Sequence, residues 1–511
     1  MPKKQINVVL LSILLLAFVV RVFKLDITGF WLVEAKIVSF AKHSWSELFG
    51  FTLMYRPVYL LLAKLWIGVV GTKEVMVRLL PVILGTGTVA AIYLLAKELW
   101  NKNAGVFAAF IMAVSCVHVV FAREARADFI LMTLLVMFSQ LMMLRIFKKD
   151  RLNEYFYLFF INVLILFTNP YGVFWIITQQ VCYFVYSKKN DNKRWLLTTT
   201  IISFVIILWY FFVLSYSPEI GISWFKSPAV KDIFNTYEAF SCGGAKLKGT
   251  GFASLPGAFN MVIPRILMLV YTLCFVGEVF FSSVNYKKNM LICWLVIPIV
   301  LAYGYSRIFT PIYMYRYLLF ASPAYYLLVA RFLTTLRLKL RSVFIIIIVL
   351  LSFFTLSNIY KIDKEQAKGF REGIAFLKEN IKEGDTIIIC PAEMLTVFMY
   401  YYDYDNPKIL GRIDDELGLK TKEEWVLDFF YKGNRIIGIP FSLLEDFSQD
   451  YDFESLSFAQ ESNIWFVNSP DWPLNENAVF LAQFFKNRYI TKEDRFFDYH
   501  GFYIKHLTLD E

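Results

Sequence analysis

The chain has 511 residues, of which 58% are hydrophobic and 18% charged, and a formal net charge of +10. That apolar share is too high, and the charged share too low, for an ordinary water-soluble protein. The lysines and arginines sit in short clusters between apolar runs rather than along one face, which argues against a nucleic-acid partner and for a membrane topology.

The opening Met1-Pro2-Lys3-Lys4 leads into an apolar run with no small-residue cleavage site before Arg21, so it reads as a retained membrane helix. A bilayer core takes about 20 apolar residues per helix, and about eleven such segments begin near Ile6, Val77, Ala104, Phe129, Tyr155, Tyr171, Trp195, Met261, Met290, Ile312 and Ser342. Basic loops provide an independent test. With Lys3 and Lys4 inside, the clusters at Lys97/Lys102, Arg145/Lys148/Lys149/Arg151, Lys188/Lys189/Lys193/Arg194, Lys287/Lys288 and Arg331/Arg337/Lys339/Arg341 all fall on the cytoplasmic side. The opposite side receives the long loops 25–76 and 217–260, the turns near Arg123 and Asn169, and the tail after Tyr360. Within the first loop, Phe51–Val70 is apolar but broken by Arg56, Pro57 and Lys64. It reads as an interfacial segment, because a span there would invert every later basic loop.

Charged residues become dense from Lys361 onward, which divides the chain into a membrane domain, 1–360, and a soluble extracytoplasmic α/β domain, 361–511. In the tail the pattern predicts a helix at Glu365–Glu379 and strands at Thr386–Ile389, Arg435–Ile439, Ile464–Val467 and Tyr503–Leu507. Six cysteines without a CxxC spacing give neither a disulfide framework nor a zinc site. The expected architecture is a polytopic α-helical protein of the cell (inner) membrane, N-terminus cytoplasmic.

Ionisable groups at membrane depth are costly and often mark function. On the outer side they cluster in Trp31-Leu32-Val33-Glu34-Ala35, Tyr55-Arg56-Pro57, Arg123-Glu124-Ala125-Arg126-Ala127-Asp128, Thr168-Asn169-Pro170-Tyr171 and Arg316-Tyr317. The set offers carboxylates for a base or a cation, and guanidiniums that grip phosphate in bidentate fashion. At a membrane boundary the obvious phosphate is lipid-linked. Each group also has a plainer use: Glu34 as a solvated helix start, the 123–128 run as an ion-paired cap, Arg316-Tyr317 and Trp224 as interfacial anchors.

The order of these features resembles the lipid-linked sugar transferases of the GT-C fold, in particular the protein O-mannosyltransferase and aminoarabinose transferase-like family. The matching elements are the W-x-x-E-A motif at Trp31–Ala35, the R-P pair at Arg56-Pro57, Arg78-Leu79-Leu80-Pro81, Arg123-Glu124-Ala125-Arg126 and Arg316-Tyr317. The resemblance implies a glycosyltransferase using a polyprenyl-phosphate sugar and a lipid, glycan or protein acceptor, with inversion at the anomeric carbon. It assigns donor phosphate to Arg56, Arg123, Arg126, Arg316 and Tyr317, and substrate contacts to Glu124, Asn169 and Tyr171; Trp224, in the second long outer loop, is a further substrate candidate that could stack on a sugar ring. Some GT-C relatives employ a divalent metal, which brings Mg or Mn into consideration. The family's usual aspartate after the tryptophan is Val33 here. Three versions therefore stay open: Glu34 is the base, Asp128 supplies the missing carboxylate, or transfer has been lost. A lipid or solute transporter is the rival of another class, against which stand the one-sided charges and the lack of an internal repeat.

Overall fold

The computed structural model describes residues 3–45, 56–149, 151–187, 193–216, 227–243, 262–283, 285–365, 369–403, 427–439, 461, 463–468, 478–496 and 503–509. Tyr55, Trp224 and the 217–260 loop outside 227–243 lie beyond these. The chain forms two compact units: Met1–Leu25, Trp45–Lys248 and Ala258–Ile359 make the first, while Asp26–Ser44 groups with Tyr360–Glu511 in the second.

Helices in chain order are α1 (Lys3–Val22), α2 (Leu32–Lys42), α3 (Pro57–Val70), α4 (Glu74–Leu99), α5 (Lys102–Val114), α6 (Cys116–Phe121), α7 (Asp128–Lys149), α8 (Leu152–Thr168) and α9 (Gly172–Tyr186). They continue with α10 (Lys193–Tyr216), α11 (Val230–Cys242), α12 (Val262–Val276), α13 (Tyr286–Ile308), α14 (Ser322–Thr335) and α15 (Leu338–Glu365). A helix lies at each segment expected to span. Among the described residues six helices are long and apolar enough to cross a membrane, at Glu74–Leu99, Asp128–Lys149, Val262–Phe281, Tyr286–Ile308, Tyr315–Thr335 and Leu338–Lys361. Five shorter apolar helices accompany them, α3 among them. At about 1.5 Å per residue, α3 reaches roughly 21 Å, short of a bilayer core of about 30 Å.

Inside the first unit, α7 and the Tyr315–Thr335 stretch are the most enclosed, whereas α13 and α15 present most of their residues outward. Helix α4 packs on α5 and α7, α7 on α8, and α14 on α5. Polar side chains between helices pair with each other: Ser139 Oγ donates to Asn162 Oδ1 at 2.7 Å, Asn162 Nδ2 to Gln179 Oε1 at 2.7 Å, and Gln179 Nε2 to Ser139 at 2.8 Å. The ring closes on itself, as polar groups at membrane depth require.

Arg21 shows the same rule at a helix break. The helical path stops at Ser115 between α5 and α6, which orphans carbonyls of the last α5 turn. The fully buried Arg21 guanidinium donates to Met112 O at 3.3 Å and Ala113 O at 3.1 Å, and to Ala17 O at 2.9 Å. Gly85 makes this possible, since a Cβ there would sit 2.5 Å from Ala122 Cβ and 3.1 Å from Arg21 Nε.

The second unit adds α16 (Phe370–Asn380), α17 (Leu395–Tyr402) and α18 (Ala478–Arg488) to strands β1 (Thr386–Cys390), β2 (Leu427–Tyr431), β3 (Asn434–Gly438), β4 (Asn463–Asn468), β5 (Tyr489–Phe496) and β6 (Tyr503–Leu509). Sheet order is β2-β3-β1-β4-β6-β5, with β1 parallel to β3 and β4 and the outer pairs antiparallel. Central β1 is buried throughout, as its unbroken Ile387-Ile388-Ile389 run requires. A core of Ile388, Cys390, Ile437, Ile464, Phe466, Phe485 and Leu507 holds the sheet. The helix expected at Glu365–Glu379 begins at Phe370, because α15 runs on to Glu365; β3 starts one residue earlier than expected. Edge strand β5 escaped the hydropathy pattern because Thr491-Lys492-Glu493-Asp494-Arg495 is polar, whereas edge strand β2, Leu427-Asp428-Phe429-Phe430-Tyr431, is a short aromatic run that the pattern passed over.

Arg21→Leu is expected to destabilise the first unit by about 2–4 kcal/mol, since each buried carbonyl left unmatched costs about 1–3 kcal/mol. A fall in the apparent Tm in detergent measures it.

Candidate functional site

Four sequence-distant breaks in the first unit carry the site. Arg56 precedes Pro57, the residue that opens α3. Arg126 ends the turn before α7, and Asp128 is the first residue of that helix, where a carboxylate complements the helix dipole. Asn169 ends α8, and Tyr171 precedes α9. Arg316 and Tyr317 lie in a 3-10 stretch, Tyr315–Ala321. Pro323 lacks the N–H that would bond Leu319 O in an α-helix; that carbonyl instead accepts from Ser322 Oγ at 2.8 Å.

These breaks converge on Asp128, which is fully buried. Its Oδ2 accepts from Asn169 Nδ2 at 2.7 Å and lies 3.0 Å from Arg56 Nη1, while Oδ1 accepts from Arg126 Nε at 3.3 Å. Arg126 Nη2 donates to the Tyr317 hydroxyl at 3.2 Å. Three guanidiniums surround the Tyr317 ring, with Arg56, Arg126 and Arg316 at 5.5, 5.8 and 5.2 Å from its centroid. Tyr171 lies against the same ring, centroids 5.0 Å apart, and its hydroxyl donates to Ile312 O. Among the described residues, Arg316 Nε is buried with no hydrogen-bond partner. Among the described residues this cluster therefore sets one carboxylate against three guanidiniums, two positive charges in excess.

Other expected residues are placed differently. Arg123 donates to the carbonyls of Arg21 at 3.2 Å, Phe23, and Lys24 at 3.0 Å, so it closes the end of α1. Arg78 joins it, donating to Leu25 O at 3.1 Å. Glu124 is half-buried beside Arg123, and the ion pairs of the cluster go to Asp128. Glu34 belongs to the second unit; it is 1% exposed, and its Oε2 accepts from the Trp31 N–H at 3.4 Å, capping its own helix. Val33 is half-buried. Trp224 lies outside the described residues. Tyr59, which sequence reasoning passed over, donates its hydroxyl to Ala125 O and so pins the turn that carries Arg126; its position on an apolar helix gave no signal.

A divalent cation does not suit the donor set seen here. Both Asp128 oxygens are engaged by cationic or amide donors, and among the described residues no group of three or more His, Cys, Asp or Glu side chains could hold a metal ion.

Residues 56–214 match the family model described as Dolichyl-phosphate-mannose-protein mannosyltransferase, a stretch that holds Arg56, Arg126, Asp128, Asn169 and Tyr171 but neither Glu34 nor Arg316. No curated protein sequence matches the chain. Among solved structures, ArnT from Cupriavidus metallidurans bound to undecaprenyl phosphate shares 12% identity at a TM-score of 0.54, over 99% of this chain and 98% of that one. An oligosaccharyltransferase from Archaeoglobus fulgidus in complex with Zn and sulfate shares 12% identity at a TM-score of 0.47, over 77% of this chain and 61% of that one. The fold is that of the GT-C membrane glycosyltransferases. Within that class the chain is similar to the protein O-mannosyltransferase and aminoarabinose transferase-like proteins, that is, family 39-like.

Arg123→Gln is expected to speed tryptic cleavage after Lys24 at least about tenfold, since it removes the guanidinium that bonds three carbonyls and each charge-assisted hydrogen bond lost costs about 1.5–3 kcal/mol. Timed proteolysis in detergent reads this directly.

Proposed function

We propose that the chain is a membrane glycosyltransferase that moves a sugar from a polyprenyl-phosphate-linked donor to a lipid, glycan or protein acceptor at the extracytoplasmic face of the inner membrane. In this reading about eleven spans form a membrane domain, 1–360, whose N-terminus is cytoplasmic, and residues 361–511 form an extracytoplasmic α/β domain. The observation that carries the proposal is the excess positive charge around Tyr317, with Arg316 Nε left unpartnered. Half-buried guanidiniums crowded together call for an anion, and their planar fork suits phosphate. ArnT, of like fold, was solved bound to undecaprenyl phosphate, which supports a lipid-linked phosphate in that role.

The acceptor hydroxyl attacks the anomeric carbon, the bond from that carbon to the phosphate oxygen breaks, and the lipid phosphate departs with one more negative charge. Arg126, Arg316 and Tyr317 meet that developing charge, which is where preorganised donors accelerate such a step. Asp128 serves as the anchor of Arg126 and Arg56, because both of its oxygens are already committed. From the sequence alone, Glu34, the carboxylate that the family motif retains, is proposed as the group that takes up the hydroxyl proton. A second reading has its own support: Glu34 caps α2 and Val33 replaces the usual aspartate, as in a relative that binds a lipid-linked glycan without transferring it.

Purified protein in nanodiscs with polyprenyl-phosphate sugars decides between the two. Arg316→Ala is expected to reduce turnover by about 10²–10³-fold, the usual effect of removing one transition-state donor. Glu34→Gln should abolish transfer while donor binding persists; unchanged turnover would remove Glu34 as base. Donor binding with no transfer by the wild-type chain would establish the second reading.

A further inference from the structure

The segment that leads into the Trp31–Glu34 motif is turn and irregular backbone outside any helix or strand, and its polar groups need partners. Residues 344 to 371 positions later in the chain supply them. The Phe30 N–H donates to the Tyr401 hydroxyl. Arg371 donates from Nη1 to Asp26 O at 3.3 Å and from Nη2 to Ile27 O at 3.4 Å. Gly29 is required between them: a Cβ there would stand 2.8 Å from the Tyr401 hydroxyl and 3.3 Å from Arg371 Cβ. The Phe30 ring is 1% exposed and meets Tyr400 at a centroid distance of 5.0 Å. Helix α2 then packs on α17, which carries both tyrosines.

Helix α17 is itself rigidly placed. It follows the carboxyl end of β1, the buried central strand, the end at which parallel sheets characteristically present their working loops. Leu395, Val397, Phe398 and Met399 are fully buried, so the tyrosines project from a fixed base.

We infer that this α17–α16 face is the mount of the first outer loop, with Tyr401 and Arg371 as positioning residues that fix Asp26–Phe30 and thereby the Glu34 carboxylate. The inference rests on the reading of Glu34 as the base. The tail then has a defined role, which is to hold the segment that leads into Glu34. The contact pattern is specific to that role, because it bonds the backbone of the loop at three residues and leaves no room for a side chain at position 29.

The test uses the full chain in nanodiscs, with amide hydrogen exchange of residues 26–34 and of β1, and steady-state transfer from a polyprenyl-phosphate sugar. Tyr401→Phe and Arg371→Met should each raise exchange in 26–34 about tenfold while β1 stays protected. Each should lower kcat at least about tenfold with KM for the donor held within about twofold, as misplacement of a base predicts. Arg371→Lys should restore part of the kcat. Unchanged exchange in 26–34, or raised exchange with unchanged kcat, overturns the inference. If Tyr401→Phe also exposes β1, Arg371→Met, whose side chain lies outside the core, decides. Exchange needs no substrate, so absence of transfer by the wild-type chain counts against the proposed function alone, and the mount is still judged by the exchange result.

Discussion

A carboxylate enclosed at the membrane boundary is tolerable only when positive charge and hydrogen bonds replace the water it has lost. Asp128 meets that condition with a partner from each of three breaks, Arg56 before α3, Arg126 before α7 and Asn169 after α8. Removing any one would leave the others facing a poorly compensated charge, so the three chain breaks are coupled through one side chain. The compensation overshoots: among the described residues Arg316 brings a third guanidinium to the Tyr317 ring with no carboxylate of its own. Structural stability alone would call for balance. The surplus is what makes the cluster read as a seat for an anion.

Arginine does two unlike jobs in this unit, and the distinction matters for reading the motifs. Arg21, Arg78 and Arg123 donate to carbonyls at helix ends, the first inside the bundle and the other two along Arg21–Leu25. Arg56, Arg126 and Arg316 face an aromatic ring and, for the first two, a carboxylate. Arg123 and Arg126 are three residues apart in a single motif, yet they fall into different groups. The partner decides the role, and partners come from tertiary packing. A sequence shows that both arginines stand at a boundary; it carries no mark of which one turns back toward a helix end.

The helices were legible because hydropathy over some 20 residues is a local property that a bilayer enforces without exception. Central β1 was legible for a related reason, since a strand buried on both faces must be apolar throughout. Edge strand β5 lacks that constraint, and its run Thr491–Arg495 is as polar as a loop; edge strand β2 is only five residues long and carries Asp428 among its aromatics. The cluster was legible in part: Arg56, Arg126, Asp128, Asn169, Tyr171, Arg316 and Tyr317, all singled out by polarity at a boundary, come together. The association of Asp26–Ser44 with the tail was not legible, because it depends on contacts between residues 345 positions apart, such as Asp26 with Arg371.

That association changes how the Val33 departure should be weighed. Position 33 is half-buried and position 34 buried, so the two adjacent sites differ in what they can do. A carboxylate at 34 is drawn toward the first turn of α2, where it accepts from the Trp31 N–H and is stabilised by the helix dipole. A carboxylate at 33 would have no such tie. An acid–base group gains from being held, provided that taking up a proton does not undo the hold. Protonating Asp128 would forfeit its ion pairs with Arg56 and Arg126 together, whereas a proton on Glu34 leaves the neutral Trp31 N–H an oxygen to bond. On the proposed reading of Glu34 as base, its orientation depends on its helix cap and on the backbone leading into it, which is the backbone that Tyr401 and Arg371 hold.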